Sequence, residues 1–255
     1  MPRDATHWAK DGKNLQVGEV PAGAINLNVQ GRSVHSPIQG FGKMWQKTYK
    51  VTLGDSVTPQ EVIKVWKERF PEFWPKTASF YGPIAGIAPG DVAVLNLKMP
   101  GGAKLSTGVL VLYADDESFT LMTPEGHMFA GWITFSSYPT GLGTVAQAQV
   151  LMRASDPLYE LGLALGGHRK EDKFWRETLT ALAGYFKAEP SFEQVVKCVD
   201  KKRQWKRARN IRQNAAIRTS AYTMGTPFRA VAKPFKKAQH VPQHWQQDPP
   251  TKKKV

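Results

Sequence analysis

The chain has 255 residues, of which 41% are hydrophobic and 22% charged, as in an ordinary globular protein with enough apolar material for a core. This composition excludes collagen-like, coiled-coil and wholly disordered chains. No apolar run approaches the roughly 18 residues of a membrane span, and the polar N-terminal stretch lacks a signal-peptide core. We therefore expect the mature protein to begin near Met1 and, with Cys198 as its single cysteine, to reside in the reducing cytoplasm.

The net charge of +14 belongs to the C-terminal end of the chain. Residues 197–255 contain 16 Lys and Arg against two acidic residues, whereas residues 1–196 contain 19 of each sign. A neutral body with a basic tail predicts either two separate tasks or one task and a tether to an anionic surface. The residues expected to contact such a surface are Lys201, Lys202, Arg203, Lys206, Arg207, Arg209 and Arg212.

The first predicted elements follow an extended N-terminal arm over residues 1–35, which show no sustained period. Residues 44–53 alternate apolar and polar side chains, which predicts a half-buried strand. Thr58, Pro59 and Glu61 then supply an N-cap hydroxyl, a proline at the first helical position and an acid at the third, which predicts a helix start.

Five more β-rich runs follow, separated by short sequences rich in glycine, proline and aspartate. They cover residues 91–99, 106–114, 117–123, 127–138 and 143–154. Connections of hairpin length, such as residues 115–116 and 124–126, predict that neighbouring runs pair antiparallel as a meander.

Two helices are predicted after these strands. Asp156 and Pro157 form an N-cap and first-turn pair at the start of a short apolar segment. Residues 169–186 place apolar side chains, Trp175 and Leu179 among them, three or four positions apart. This spacing predicts a long amphipathic helix.

The order of elements is strand, helix, antiparallel strands and long helix, which predicts an α+β fold with a sheet curved around one helix. Such a sheet leaves an apolar space beneath the helix unless large side chains fill it. The sequence therefore predicts a ligand cavity.

Four stretches carry a likeness to a known family: GFGKMWQKTYKVTL as opening strand, TPQEVIKVWKERF as short helix, the hairpins of YADDESFTLMTPEGHMFAGWITF, and FWRETLTALAGYF in the long helix. Together they make residues 36–188 resemble the START/SRPBCC superfamily, the helix-grip fold of polyketide cyclases, lipid-transfer domains and ligand-binding plant proteins. The resemblance implies a hydrophobic or amphipathic molecule bound beneath the long helix, with catalysis in some branches only. Residues 1–35 and 189–255 have no counterpart in the minimal fold.

The candidate ligand contacts are mostly aromatic side chains, whose flat apolar surfaces suit steroids, polyketides and acyl chains. They are Tyr81, Tyr113, Phe119, His127, Phe129, Trp132, Phe135, Trp175 and Leu179. In a cavity-facing register, His127 shares a strand face with Phe129 and Phe135 and is placed to orient a polar group of the ligand. His127, Glu125 and Tyr113 are the candidates for proton transfer in an enzyme. Core packing or a turn position is the alternative for each.

No metal and no cofactor are expected. The sequence lacks a Walker loop and the GxGxxG, GxSxG and HExxH motifs. His240 and His244 are four residues apart, but Pro242 between them disrupts the helix that a metal site of this spacing requires.

The extension over residues 189–255 is predicted to begin with a helix that docks Phe192, Val195 and Val199 on the body. From about residue 220 onward, five prolines and runs of lysine predict disorder.

Three functions fit these patterns. The first is binding or carrying of a lipid, polyketide or isoprenoid in the cavity, with the tail docked on the body or in peripheral contact with an anionic membrane. The second is a polyketide cyclase-like or aromatase-like enzyme. The third is a nucleic-acid-associated protein that acts through its basic tail. The sequence leaves the ligand and the oligomeric state open.

Overall fold

Eight strands form one sheet in the computed structural model, which describes residues 5–18, 24–82, 86–98, 104–189 and 191–225. Along the chain they are β1 (Met44–Thr52), β2 (Ala78–Tyr81), β3 (Val92–Lys98), β4 (Lys104–Ala114), β5 (Ser118–Met122), β6 (Phe129–Thr140), β7 (Gly143–Ala154) and β8 (Ser191–Asp200). Their order is β2-β3-β4-β5-β6-β7-β1-β8, and each neighbouring pair is antiparallel. The predicted first strand and meander are confirmed, although Met99 of the run 91–99 lies outside the described residues.

Four α-helices accompany the sheet: α1 (Pro59–Glu68), α2 (Pro157–Gly162), α3 (His168–Tyr185) and α4 (Ala215–Met224). Both predicted helix caps are confirmed. Thr58 Oγ1 accepts the Glu61 N–H at 3.3 Å, and Asp156 Oδ1 accepts the Tyr159 N–H at 3.0 Å. Each bond satisfies a backbone donor that the first turn of the helix leaves free.

One face of the sheet, the inner face, carries the main core against α1 and α3. Beneath α1, Trp66 and Phe70 pack edge-on against Phe119 of β5 and Phe135 of β6, with ring centroids 5.0 to 6.0 Å apart. All four side chains are fully buried. We call these four rings the aromatic cluster, and they make this end of the inner face solid core.

Helix α3 covers the same face, and Leu179, Leu182 and Ala183 on its inner side are fully buried in the main core. A long helix held against a curved antiparallel sheet is the helix-grip arrangement, so the predicted α+β fold is confirmed.

The opposite, outer face of the sheet is covered by the two ends of the chain. Leu15 and Val29 of the N-terminal arm pack on Val94 of β3 and Leu110 of β4. Helix α4 lies on β4, where Thr219 Oγ1 accepts the Asn28 side-chain amide at 3.0 Å and the Ser106 N–H at 3.3 Å. The arm and α4 are therefore bound to each other as well as to the sheet.

The predicted helix at the start of the C-terminal extension is wrong, because Ser191–Asp200 is strand β8. The spacing of Phe192, Val195 and Val199 fits a helix, but β1 would otherwise present unpaired N–H and C=O groups at the sheet edge. Pairing with β8 satisfies those groups, and valine favours a strand. Residues 205–213 form a 3₁₀ segment instead of a continuing helix.

Two further expectations change with the structure. Disorder from residue 220 is wrong for residues 220–224, which complete α4, while residues 226–255, including His240 and His244, lie outside the described residues. Strand β2 was not predicted, because its four residues follow the proline-rich segment behind α1. Among the described residues, no helix is long and apolar enough to cross a membrane.

We predict that Phe70→Ala lowers the free energy of unfolding by about 3–5 kcal/mol, because it leaves a cavity at the centre of the aromatic cluster. The measurement is urea unfolding followed by tryptophan fluorescence and circular dichroism. The control is Ile38→Ala, whose side chain is 73% exposed and whose replacement changes stability by less than about 0.5 kcal/mol. Equal losses for the two variants would contradict this account of the core.

Candidate functional site

A cavity of about 820 Å³ lies between the inner face of the sheet and α3, at the end that the aromatic cluster does not fill. Its walls are mainly apolar. The sheet contributes Leu95, Val109, Leu121, Ile133, Val150 and Met152, and α3 contributes Phe174 and Trp175. Cavities of this size and lining are typical of sites for small organic molecules.

His127 lies on the cavity wall just before β6 and is 6% exposed. Its Nδ1 lies 2.9 Å from the Phe129 backbone nitrogen and 3.1 Å from the Phe129 carbonyl oxygen, so the Phe129 backbone offers this atom both a donor and an acceptor. Burial lowers the pKa of His127 to about 4. At neutral pH the cavity therefore contains an uncharged imidazole.

A second polar group on the wall belongs to a buried ion cluster between β1 and α3. Lys47 is 1% exposed, and its Nζ donates to Glu171 Oε2 at 2.8 Å and to Asp172 Oδ1 at 2.7 Å. The Tyr49 hydroxyl donates to the same Asp172 oxygen at 2.7 Å. We call these four residues the Lys47 cluster, and Glu171 is its member on the cavity wall.

The two carboxyl groups of the Lys47 cluster differ in acidity. Burial raises the pKa of Glu171 to about 7, against the opposing effect of Lys47. Burial also acts to raise the pKa of Asp172, but hydrogen bonds from Lys47 and Tyr49 lower it overall. Near neutral pH, Asp172 is therefore ionised, while Glu171 is populated in both protonation states.

The rim of the cavity combines apolar and basic groups. Between α2 and α3 the chain kinks within Leu163–Gly167, where Leu165 and Gly166 depart from helical geometry and Gly166 has a φ of +109°, a left-handed conformation that favours glycine. Leu165 in this turn is 78% exposed, and Lys170 and Lys173 are exposed on the first turns of α3. An anionic or polar group at the opening would meet these ammonium groups.

The structure brings four of the nine predicted ligand contacts to the cavity: His127, Phe129, Trp132 and Trp175. Their role in binding stays a prediction. The other five lie elsewhere, and their assignment to the cavity is corrected as follows.

Tyr113 and Tyr81 belong to the outer side of the sheet. Strand β4 has a register shift between Val111 and Tyr113, which turns Tyr113 away from the cavity although simple alternation would point it inward. Its ring packs against Trp8 of the N-terminal arm at 4.8 Å. Tyr81 ends β2 and packs on the outer-face core.

Phe119 and Phe135 do face inward, but they are fully buried in the aromatic cluster and do not line the cavity. Leu179 is likewise fully buried between α3 and the sheet. Glu125 lies in the turn before β6, where its backbone N–H donates to Ser33 O, and it does not line the cavity either. Tyr113 and Glu125 are therefore removed as candidates for proton transfer.

Sequence reasoning missed Glu171 and Lys47. One signal was present, since Lys47 lies on the same side of the alternating strand as Trp45 and Tyr49, which is the apolar side. A lysine at such a position requires a buried acidic partner, and adjacent Glu171 and Asp172 in the long helix are suitable ones.

The predicted basic contacts lie on the outside of the body, away from the cavity lining. Arg207 is half-buried and the other six are exposed, with Arg203 paired to Glu160 at 3.0 Å. The segment is held to the body by the Gln204 N–H, which donates to Phe41 O at 2.7 Å, and by the Asn210 side-chain amide, which donates to Gln39 O at 2.9 Å. No group of three or more potential metal-ligating side chains occurs within the described part of the chain.

No family model matches the sequence, and no curated protein matches it. Three solved structures resemble the fold over 57% of this chain. The di-domain ARO/CYC protein StfQ from the steffimycin biosynthetic pathway has 11% identity and a TM-score of 0.45; the match spans 51% of StfQ. A START superfamily protein from Mycobacterium smegmatis has 20% identity over 98% of its length, TM-score 0.38. Major latex-like protein 151 from Panax ginseng has 9% identity over 99% of its length, TM-score 0.38. The likeness is one of fold, an antiparallel sheet with a long helix packed against one face.

We predict that His127→Asn weakens the dependence of stability on pH. An unfolded histidine has a pKa of about 6.5, whereas the pKa of folded His127 is about 4, so below pH 6.5 the unfolded chain binds more protons. The contribution of His127 to the free energy of unfolding therefore falls by about 2 kcal/mol as pH decreases from 7 to 5, and His127→Asn lacks this fall. Asparagine keeps an acceptor for the Phe129 N–H but does not titrate.

The measurement is urea unfolding of both proteins at the two pH values. The raised pKa of Glu171 acts in the opposite direction in this interval, but it is common to both proteins and cancels in their difference. An unchanged pH dependence in His127→Asn would show that His127 titrates normally in the folded protein.

Proposed function

We propose that this protein binds one mostly apolar small molecule in the cavity between its sheet and α3. The observation that supports the proposal is the cavity itself, which has a volume of about 820 Å³ and an aliphatic and aromatic wall. Protein interiors are otherwise close-packed, and unfilled volume beneath a helix costs stability. Larger side chains at wall positions such as Val109 or Val150 would fill this space, so its retention favours an occupant.

The lining also indicates the kind of molecule. Trp175 offers a flat surface for a ring system or acyl chain, while His127, Tyr159 and Glu171 are the buried titratable groups of the wall. A ligand of the lipid, polyketide or isoprenoid class, with an apolar body and few polar groups, matches this distribution.

Of the three residues predicted for catalysis, only His127 lies on the cavity. Binding is therefore the function that the geometry supports best. Contact of the basic segment over residues 201–212 with a membrane or nucleic acid stays a prediction from charge alone.

We predict that the delipidated protein binds 1-methylpyrene at one site, seen as energy transfer to the probe from tryptophan, above all from Trp175 on the cavity wall. Ile133→Trp fills the cavity and weakens binding by about tenfold or more, which is a loss of about 1.4 kcal/mol. The matched control Ile38→Trp, at a position 73% exposed, leaves the affinity unchanged.

Native mass spectrometry of protein purified from its own host, followed by extraction under denaturing conditions, would identify a bound natural ligand. Failure of the unsubstituted protein to bind the probe, or equal binding by Ile133→Trp, would overturn the proposal.

A further inference from the structure

A wholly apolar ligand would leave one buried polar atom of the cavity wall, a carboxyl oxygen of Glu171, without a hydrogen-bond partner. The Glu171 side chain is buried on the cavity wall, and its Oε2 accepts from Lys47, but its Oε1 has no hydrogen-bond partner among the described residues. A buried carboxyl oxygen without a partner is costly, and such atoms are rare in folded proteins. A polar group on the bound molecule would remove this cost.

The geometry of the Lys47 cluster decides which oxygen is available. Lys47 Nζ lies 2.8 Å from Oε2 and donates to it, so a proton on this carboxyl group resides on Oε1. In the ionised state, Oε1 accepts a hydrogen bond instead. The same atom thus acts as a donor or an acceptor according to the protonation state of Glu171.

The charges around the cavity restrict the partner of Oε1. A ligand carboxylate at this depth would be repelled by Asp172 and by ionised Glu171, because Lys47 balances only one of these two negative charges. A cation would have to lose its hydration and pass Lys98 and Lys170 at the rim, where Lys173 is paired with Glu177 at 3.6 Å. A hydroxyl group is neutral and can both donate and accept, so it fits either state of Glu171.

We propose that the cavity selects a neutral apolar molecule bearing a hydroxyl group, an alcohol or a phenol, and that Glu171 Oε1 binds this hydroxyl. This inference rests on the proposed function, and it adds the class of ligand and the residue that recognises it. Lys47 acts as a positioning residue that orients the carboxyl group of Glu171.

The test compares two fluorescent probes that differ in one group, 1-pyrenemethanol and 1-methylpyrene, in binding to the full-length protein. The unsubstituted protein binds the alcohol about tenfold or more tightly than the hydrocarbon, as expected for a hydrogen bond to a charged group. Glu171→Met keeps the length of the side chain and leaves Lys47 paired with Asp172. It abolishes the preference for the alcohol, so that the two probes bind with similar affinity.

Glu68→Met is the matched control, since Glu68 is exposed on α1 away from the cavity lining, and it keeps the preference. Tighter binding of 1-pyrenemethylamine or 1-pyrenecarboxylate than of the alcohol would overturn the assignment of ligand class. Equal affinity of the unsubstituted protein for alcohol and hydrocarbon would overturn the role of Glu171 but leave the proposed function intact. Absence of binding by every probe would instead overturn the proposed function.

The pH dependence of the preference for 1-pyrenemethanol gives a second test, which requires no substituted protein. The charged and titratable groups that act on Glu171 are Lys47 and Tyr49 from β1 and Asp172 from α3. Ionised Glu171 is the stronger acceptor, and binding of an alcohol stabilises that form. The preference for 1-pyrenemethanol therefore rises from about pH 6 to about pH 8. A preference that is constant or falls over this interval would contradict the proposed contact.

Discussion

The cavity exists because the aromatic cluster fills only part of the inner face of a wide sheet. Trp66 and Phe70 press against Phe119 and Phe135, and these rigid rings hold α1 on one end of that face. Helix α3 spans the same face but carries apolar residues on one side only, so it closes over the remaining area without filling it. A sheet curved around one helix then encloses space, because neither element can bend to meet the other.

The Lys47 cluster brings charge into this otherwise apolar interior. A buried ion pair is weak evidence for stability, since loss of hydration offsets most of the attraction between the charges. Its clear structural effect is one of position: the Lys47 ammonium group ties β1 to the start of α3 and directs two adjacent carboxyl groups to different surroundings. Asp172 also receives the Tyr49 hydroxyl and stays ionised, while Glu171 faces the cavity wall with one oxygen unpartnered. The Glu171 carboxyl group is therefore a polar group in an otherwise mainly apolar cavity wall.

The two ends of the chain cover the apolar outer face of the sheet. Leu15 and Val29 cover Val94 and Leu110, and α4 closes the gap beside them through Asn28 and Thr219. Strand β8, which precedes α4 in the chain, pairs with the otherwise open edge of β1. The basic segment between β8 and α4 is held on the body by hydrogen bonds such as those from Asn210 to Gln39 O and Ser155 O, and most of its charged groups are exposed.

The amino-acid pattern by itself determined the elements whose signals are local. Alternation along β1 and β7 and the caps at Thr58 and Asp156 depend on neighbouring residues only, so these features and the α+β class were predictable. Tertiary structure alone decided the rest. The register shift in β4 turned Tyr113 outward, the open edge of β1 made a strand of Ser191–Asp200, and the meeting of β1 with α3 placed Glu171 on the cavity wall. The physical reason is that side-chain direction, edge pairing and charge burial are set by partners distant in sequence, which a local pattern does not contain.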